Sequence, residues 1–249
     1  MADNVVTVVT GAGRGIGRAI ALRMAKDTPV MVVGRTAADL RKVCAEIRAA
    51  GGIAMHCTGD VANITTARRC LEQIHRSKRV ARHLVCNAGI AKGGDTHTFN
   101  PRLAEQMMRV NYTGAMNFAI ACLPDLLAQR DGTICLMSSV LGVRGHKRET
   151  AYAATKHALV GMSRSLAHEY SRKGIKVVPL CPGFVESDMT QRSIDGLVRY
   201  RGISESEARA IIAASNASNR IIPAEEVAEM VARVCSGEQP VNGEPLLME

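Results

Sequence analysis

The chain has 249 residues, a length typical of one large or two small domains, and the composition of an ordinary globular protein. No apolar run reaches the roughly 20 residues of a membrane span, and the first ten residues resemble a strand rather than a signal peptide. A net charge of +9 permits nucleic-acid binding, but the basic residues are dispersed and only 3% of residues are aromatic, which leaves few stacking surfaces for bases. We therefore expect neither a membrane nor a nucleic acid as partner, and a basic protein acting on phosphorylated or anionic ligands explains the charge as well.

The cysteines indicate a reducing compartment. None forms a C-x-x-C pair and most lie in apolar segments, so the sequence predicts buried free thiols, a cytoplasmic location and no zinc site. The eight are Cys44, Cys57, Cys70, Cys86, Cys122, Cys135, Cys181 and Cys235.

The N-terminal third begins with a strand–loop–helix–strand unit. Val5–Val9 is a β-branched run typical of a buried strand, and it leads directly into the glycine-rich loop Thr10–Gly17. Apolar residues at helical spacing follow, with a stop near Pro29, before a second buried run at Val30–Val33. Such a loop lets backbone N–H groups approach a pyrophosphate at the helix N-terminus, although a plain glycine-rich turn has the same composition.

Strands and helices continue to alternate along the chain. Further strands are predicted at Ile53–Thr58, His83–Cys86, Thr133–Met137, Val177–Leu180 and Val241–Met248, and helices at Ala37–Ala50, Thr65–Ser77, Leu103–Leu127, Tyr152–Tyr170 and Pro223–Val234. This order predicts an α/β fold, a doubly wound parallel sheet of about seven strands in a single domain spanning residues 1–249. The polar segment 188–219 is helical in pattern but is anchored to no strand.

A serine, a tyrosine and a lysine carry the clearest chemical pattern. Tyr152 follows Ser139 by thirteen positions, and Lys156 lies one helical turn beyond it, so both side chains share a face. A nearby ammonium favours the phenolate, which lets a tyrosine exchange a proton with an alcohol or carbonyl oxygen near neutral pH. A surface helix that carries Y-x-x-x-K by chance is the alternative for this motif taken alone.

Several motifs in order give the chain its resemblance to a known family. T-G-x-x-x-G-x-G at Thr10–Gly17, N-A-G at Asn87–Gly89, S-V-L-G from Ser139, and Y-x-x-x-K resemble the short-chain dehydrogenase/reductase family, most closely its 3-oxoacyl-[acyl-carrier-protein] reductases. The resemblance implies a Rossmann-type fold, a substrate lid at about 188–219 and four catalytic residues, which are Asn111, Ser139, Tyr152 and Lys156. Ser138 competes for the role of Ser139, and Asn111, unfavourable inside a helix, could instead be a core residue bonded to backbone.

The resemblance also implies an NADP(H) site. The family's usual carboxylate after the second strand is absent, and Arg35, together with Arg14 in the glycine loop, is expected to bind the 2′-phosphate of NADP. The alternative is that Arg35 stacks on the adenine of NAD. Asp60 is expected on the adenine, although it could simply cap the following helix. The full set of expected cofactor contacts is Gly11, Gly13, Arg14, Gly15, Ile16, Gly17, Arg35, Asp60, Val61, Asn87, Ala88, Gly89, Tyr152, Lys156, Pro182, Gly183, Val185 and Ser187.

By resemblance, the expected activity is NADPH-dependent reduction of a carbonyl to a secondary alcohol. The favoured substrate is a 3-oxoacyl thioester of acyl-carrier protein or CoA, as in fatty acid biosynthesis, and the alternative substrate is a small ketone, sugar or steroid. The alternative to an enzyme is a non-catalytic NADP-binding sensor or scaffold. Arg130 and Lys173 match carrier-docking positions, or are generic surface charge, and Arg144, Lys147 and Arg148 near the site would favour anions. A homotetramer is expected, with a dimer possible because the sequence after the last strand departs from the family pattern.

Overall fold

The computed structural model describes residues 4–249, in which seven strands form one sheet. The strands are β1 Val5–Thr10, β2 Val30–Gly34, β3 Ala54–Thr58, β4 Val80–Cys86, β5 Gly132–Met137, β6 Ile175–Pro182 and β7 Leu246–Met248. They lie in the order β3-β2-β1-β4-β5-β6-β7, and every pairing is parallel. The order reverses between β1 and β4, which is where ligands bind in open α/β sheets.

Helices cover both faces of the sheet. They are α1 Gly15–Met24, α2 Ala37–Ala49, α3 Ile64–Arg76, α4 Pro101–Met108, α5 Gly114–Gln129, α6 Thr150–Tyr170, α7 Asp188–Arg201, α8 Glu205–Ala213 and α9 Ala224–Ser236. None of the helices in the described part of the chain is long and apolar enough to cross a membrane. The predicted doubly wound parallel fold, a single Rossmann-like domain, is confirmed.

Alternation along the strands divides the core into two layers. Val8 packs with α3, α5 and α6 on one face, whereas its neighbour Val9 packs with α1, α2 and α9 on the other. Because both faces are buried, the strands are continuous apolar runs, which explains why they could be predicted from sequence. All eight cysteines are free thiols, and all but the half-buried Cys235 are buried.

Two predicted elements and one suggested helix cap differ from the structure. The helix predicted at Leu103–Leu127 is interrupted by a π-helical turn, Arg109–Thr113, between α4 and α5. The last strand covers only Leu246–Met248 rather than Val241–Met248, because Pro245 has no N–H for the ladder and Gly243 adopts a positive φ of 81°. The interpretation of Asp60 as a helix cap was wrong: Asn63 caps α3, and the Asp60 carboxylate instead accepts from the Ala62 N–H at 2.9 Å.

Candidate active site

The carboxyl ends of four adjacent strands bring the predicted motifs to one edge of the sheet. The glycine loop follows β1, the N-A-G turn ends β4, the two serines follow β5, and Pro182-Gly183 ends β6. Since these strands are parallel neighbours, residues more than 170 positions apart in sequence line one cleft. Topology therefore assembles the site, and the local sequence sets its chemistry.

The glycine loop is packed too tightly for side chains. Gly11 has a positive φ of 66°, and a Cβ there would lie 2.8 Å from the Cα of Ala88. A Cβ on Gly17 would overlap the Gly11 carbonyl oxygen. Arg14 occupies the N-cap of α1, no side chain caps the helix, and its first turn contains no acidic residue. The N–H groups and positive end of α1 are thus available to a pyrophosphate, and this cradle fits a dinucleotide.

The N-A-G turn is tied to this loop by hydrogen bonds. The side-chain amide of Asn87 donates to the carbonyl oxygens of Thr10 at 3.1 Å and Gly11 at 3.3 Å. In return, Thr10 Oγ1 accepts from the backbone N–H groups of Asn87 at 3.0 Å and Ala88 at 3.1 Å. Asn87 therefore fixes the spacing between the ends of β1 and β4, across the topological switch point.

The side of the cleft after β2 and β3 contains basic and acidic groups. Arg35 follows β2 directly and is exposed, with no hydrogen bond or ion pair to any other residue in 4–249. Val61 is buried beside the carboxylate of Asp60. Asp39, in the first turn of α2, was not predicted from the sequence. Its Cβ is 3.0 Å from the position that a Cβ on Gly13 would occupy. An exposed cation and a nearby carboxylate therefore both flank the glycine loop.

An ion pair joins the glycine loop to the start of α7. Arg14 Nη1 lies 3.2 Å from Asp188 Oδ2, and both side chains are largely exposed. A Cβ on Gly15 would lie 3.8 Å from the Cβ of Ser187, so the two segments are in contact range. The first turn of α7 therefore closes one side of the cleft above α1. Sequence reasoning placed Arg14 in the site but missed its partner.

Ser139 and Tyr152 face each other across the end of β5. Ser139 precedes the short 3-10 turn Val140–Gly142, and its Oγ accepts from the Leu141 N–H at 3.2 Å. A hydrogen bond with Ser139 lowers the pKa of Tyr152, but burial and the charge of Glu149 outweigh it and raise that pKa well above its usual value. The net shift of that pKa is upward, opposite to the lowering expected from the neighbouring ammonium, because burial dominates. The phenol is therefore protonated at neutral pH and can act as a proton donor.

Lys156 is buried one turn further along α6. Its ammonium lies 5.5 Å from the centroid of the Tyr152 ring and donates to the Met137 carbonyl oxygen at 2.7 Å. Burial lowers the pKa of Lys156 to about 8, although Cys181 opposes the shift. A buried cation beside a phenol is the arrangement that favours phenolate once the tyrosine proton is given up.

Asn111 lies in the π-helical turn between α4 and α5 and is buried. Its amide donates to the Ile90 carbonyl oxygen and to Thr155 Oγ1, both at 2.9 Å, while its Oδ1 accepts from the Ile90 N–H at 2.8 Å. A Cβ on Gly89 would lie 3.4 Å from Asn111 Oδ1 and 3.7 Å from Lys156 Nζ, so both groups flank that residue. Single-turn π-helical insertions often occur at functional sites, and this one brings a polar residue of a long helix to the cleft.

Ser138 has a separate, structural contact. Its Oγ donates to the Lys156 carbonyl oxygen at 2.9 Å and is buried, which fixes α6 against the end of β5. A Cβ on Gly142 would overlap the hydroxyl oxygen of Ser138. The hydroxyl of Ser138 is therefore occupied by the backbone of α6, and the adjacent Ser139 is the serine that meets the phenol.

The loop after β6 is held by a buried asparagine that sequence reasoning missed. Asn216 Oδ1 accepts from the Phe184 N–H at 2.8 Å, and its amide donates to the carbonyl oxygens of Phe184 at 2.9 Å and Arg220 at 2.6 Å. Val185 bridges to Ile222, and Ser187 caps α7 by accepting from the Thr190 N–H at 3.2 Å. The loop is thus rigidly placed although it lies between a strand and a polar segment.

Segment 188–219 forms two helices with a small core of their own. Ile194, Ala208 and Ile212 are buried together between α7 and α8, so these residues are not free to cover a pocket. Tyr200, which is 75% exposed, stacks on the guanidinium of Arg148 at 5.0 Å. That contact links the last turn of α7 to the loop before α6, above the mouth of the cleft.

These features define a class of protein: a dinucleotide-binding fold whose cofactor cradle lies beside a serine, a tyrosine, a lysine and an asparagine suited to proton transfer. Comparison with known proteins assigns the family. Residues 5–197 match the short chain dehydrogenase family model. The chain is 34% identical to the oxidoreductase UcpA of Escherichia coli strain K12 over 74% of this chain and 70% of that protein. It is 32% identical to the 3-oxoacyl-[acyl-carrier-protein] reductase FabG of Staphylococcus aureus strain Mu50 over 76% and 78%, respectively.

Solved structures agree with this assignment. A variant of actinorhodin polyketide ketoreductase, solved with NADPH, matches with a TM-score of 0.94 and 31% identity over 100% of this chain and 97% of that one. A gluconate 5-dehydrogenase from Burkholderia cenocepacia shares the fold, with a TM-score of 0.88 and 24% identity over 99% and 94%. The chain belongs to the short-chain dehydrogenase family, as its motifs predicted, and is an oxidoreductase that uses a nicotinamide cofactor.

Proposed function

We propose that the protein reduces a carbonyl to a secondary alcohol with NADPH, and that the substrate is a 3-oxoacyl thioester. The observation that carries the proposal is the convergence of Ser139, Tyr152 and Lys156 at the end of β5, beside the Asn87–Gly89 turn and the glycine loop. Ser139 and Lys156 are hydrogen-bonded to backbone groups, and Tyr152 is positioned by α6 and by its hydrogen bond with Ser139.

The cofactor-binding residues divide into three groups along the cleft. Gly11–Gly17 and the N-terminus of α1 would hold the pyrophosphate, and Arg35, Asp60 and Val61 would hold the adenosine. Lys156 and the loop of Pro182, Gly183, Val185 and Ser187 would hold the nicotinamide end. When bound, the cofactor supplies the hydride to the carbonyl carbon. NADPH is favoured over NADH by Arg35, which is exposed and unpaired, and by Arg14 in the loop, whose guanidinium is also paired with Asp188. The NADPH bound to the actinorhodin ketoreductase supports the same choice.

Proton transfer is assigned to Tyr152. Its phenol is protonated at neutral pH, so it can give its proton to the carbonyl oxygen as that oxygen gains negative charge. Ser139 donates a hydrogen bond to the same oxygen, and the buried ammonium of Lys156 stabilises the phenolate that remains. Asn111, whose side chain is hydrogen-bonded to the Ile90 backbone and to Thr155, is assigned the role of holding a water that returns a proton to Tyr152 through Lys156.

The thioester assignment is supported by relatives and by charge. FabG is a 3-oxoacyl-[acyl-carrier-protein] reductase and the actinorhodin enzyme is a polyketide ketoreductase, both more than 30% identical to this chain. Arg144, Lys147 and Arg148 are exposed on the loop before α6, where they would attract an anionic carrier or CoA. Arg144 and Arg148 are also paired with Glu249 and Asp95, so an anionic ligand would compete with these carboxylates. This loop leads directly into α6, which carries Tyr152 in its first turn.

Carrier docking at Arg130 and Lys173 would require a second subunit. These residues precede β5 and β6, respectively, whereas Ser139 and Gly183 follow the same two parallel strands. A six-residue strand spans about 20 Å, so the basic pair lies at the opposite end of the sheet from Tyr152. We therefore propose that a carrier docked there serves the active site of another copy in a homo-oligomer, either dimer or tetramer. Mass measurement by light scattering tests the oligomer.

A steady-state assay of NADPH oxidation with acetoacetyl-CoA tests the proposed function, run in parallel with NADH and with a panel of plain ketones and sugars. Fast turnover with the thioester and NADPH supports the whole proposal. Turnover with plain ketones alone retains the catalytic residues and rejects the thioester, whereas a preference for NADH rejects the role of Arg35. Tight NADPH binding without turnover on any carbonyl would contradict the proposal and indicate a sensor.

A further inference from the structure

A half-buried carboxylate lies beside the candidate catalytic tyrosine. Glu149 stands at the N-cap of α6, three residues before Tyr152, so the two side chains share a face of the helix. Its carbonyl oxygen accepts from the Ala153 N–H at 2.7 Å, but its side chain does not cap the helix. The carboxylate instead points towards the loop after β4, where a Cβ on Gly93 would lie 2.6 Å from Oε1.

This carboxylate has no hydrogen-bond or ion-pair partner among residues 4–249. Burial raises its pKa, although the charges of His146 and Arg148 oppose the shift. Partly buried carboxylates normally accept hydrogen bonds, because removing them from water otherwise costs free energy. Its oxygens are still reached by water, so a donor on a substrate held between Tyr152 and the Gly93 loop would replace water as the partner of Glu149.

The charge of Glu149 also acts on the proposed chemistry. It raises the pKa of Tyr152, and so opposes the phenolate that forms when the carbonyl oxygen is protonated. A donor bound to the carboxylate would withdraw part of that negative charge from the phenol. A substrate that carries such a donor next to its carbonyl would thus bind better and also ease proton transfer.

We propose that Glu149 is a specificity-determining residue that accepts a hydrogen bond from a hydroxyl or N–H group of the substrate close to the reacting carbonyl. This inference rests on the proposed carbonyl reduction and narrows its substrate class. It favours 3-oxoacyl compounds with a donor beside the ketone over their unsubstituted counterparts. Hydrogen bonds to charged groups change such preferences by about tenfold to a hundredfold.

The test compares ethyl 3-oxobutanoate with ethyl 4-hydroxy-3-oxobutanoate, which differ by one hydroxyl beside the ketone. The ratio of their kcat/KM values is measured with NADPH for the wild-type protein and for Glu149→Ala. Glu149→Gln keeps the shape of the side chain and an acceptor oxygen, so it gives a result even if the alanine variant folds poorly. Glu169→Gln removes the same charge from an exposed site at the far end of α6 and is the matched control.

We expect the wild type and Glu169→Gln to prefer the hydroxylated ester by about tenfold or more. The preference should fall towards one in Glu149→Ala and be intermediate in Glu149→Gln. A ratio near one in the wild type, or an unchanged ratio in Glu149→Ala, would overturn the inference while carbonyl reduction stands. If the wild type reduces neither ester nor acetoacetyl-CoA, the proposed function fails and this inference fails with it.

Discussion

Replacing Asn216 by alanine should destabilise both segment 188–219 and the loop after β6. Asn216 is 2% exposed and makes three hydrogen bonds to backbone, two with Phe184 and one with Arg220. At about 1 kcal/mol each, their loss should lower the free energy of unfolding by about 3 kcal/mol, since water cannot easily replace them at a buried site. Ser218→Ala, on the exposed side of the same segment, should change it by less than about 0.5 kcal/mol.

Urea denaturation followed by circular dichroism measures the free-energy change, and limited proteolysis of segment 188–219 detects a local opening. The Asn216→Ala variant should also bind NADPH more weakly, because the loop Phe184–Ser187 loses its fixed position. An Asn216→Ala variant within about 0.5 kcal/mol of the wild type, and no more sensitive to protease, would refute the assigned role of these hydrogen bonds.

Three further predictions concern titration and cofactor choice. Burial, with a smaller effect of Arg82, lowers the pKa of His83 to about 4. The pKa of a histidine in the unfolded chain is about 6.5, so the unfolded state binds a proton first as the pH falls. About 3 kcal/mol of the free energy of unfolding that is present above pH 6.5 should therefore be lost by pH 4. His83→Asn should flatten that part of the pH–stability curve, and an unchanged curve would show that other groups control it. Arg35→Ala should raise the KM for NADPH about tenfold or more and leave NADH kinetics nearly unchanged, whereas equal losses with both cofactors would disprove phosphate recognition. Because the pKa of Lys156 is lowered to about 8, its ammonium is lost as the pH rises through that value, so kcat/KM for NADPH should fall above about pH 8. Lys156→Arg should shift the fall to higher pH, and a profile that does not shift would contradict the assignment.

Most of the fold could be predicted because its strands are buried on both faces. Runs such as Val30–Val33 have no polar alternation, and the glycine loop marks where the first helix begins. The π-helical turn at Asn111 could not be predicted in the same way. An asparagine inside an apolar helix signals a special position, but an inserted residue in the hydrogen-bond ladder leaves no pattern in the periodicity.

The residues missed in the site share one property: their partners are distant in sequence. Asn216 lies in a polar segment where an asparagine is unremarkable, and its contact with Phe184 depends on how the lid folds back. Asp188 pairs with Arg14 across the cleft. Glu149 differs from the charged residues around it in facing the Gly93 loop, which is also distant in sequence. By contrast, the spacing of Tyr152 and Lys156 is local to one helix, so sequence alone could place them together.

Replacing Tyr152 by phenylalanine tests the central claim most directly, because the two side chains differ by the one hydroxyl that carries the proton. Turnover of acetoacetyl-CoA with NADPH should fall by about 100-fold to 10,000-fold, while NADPH binding, measured by fluorescence titration, should remain close to that of the wild type. Tyr170→Phe, at the C-terminal end of the same helix, should retain full activity. A Tyr152→Phe variant that reduces the thioester within tenfold of the wild-type rate would contradict the account.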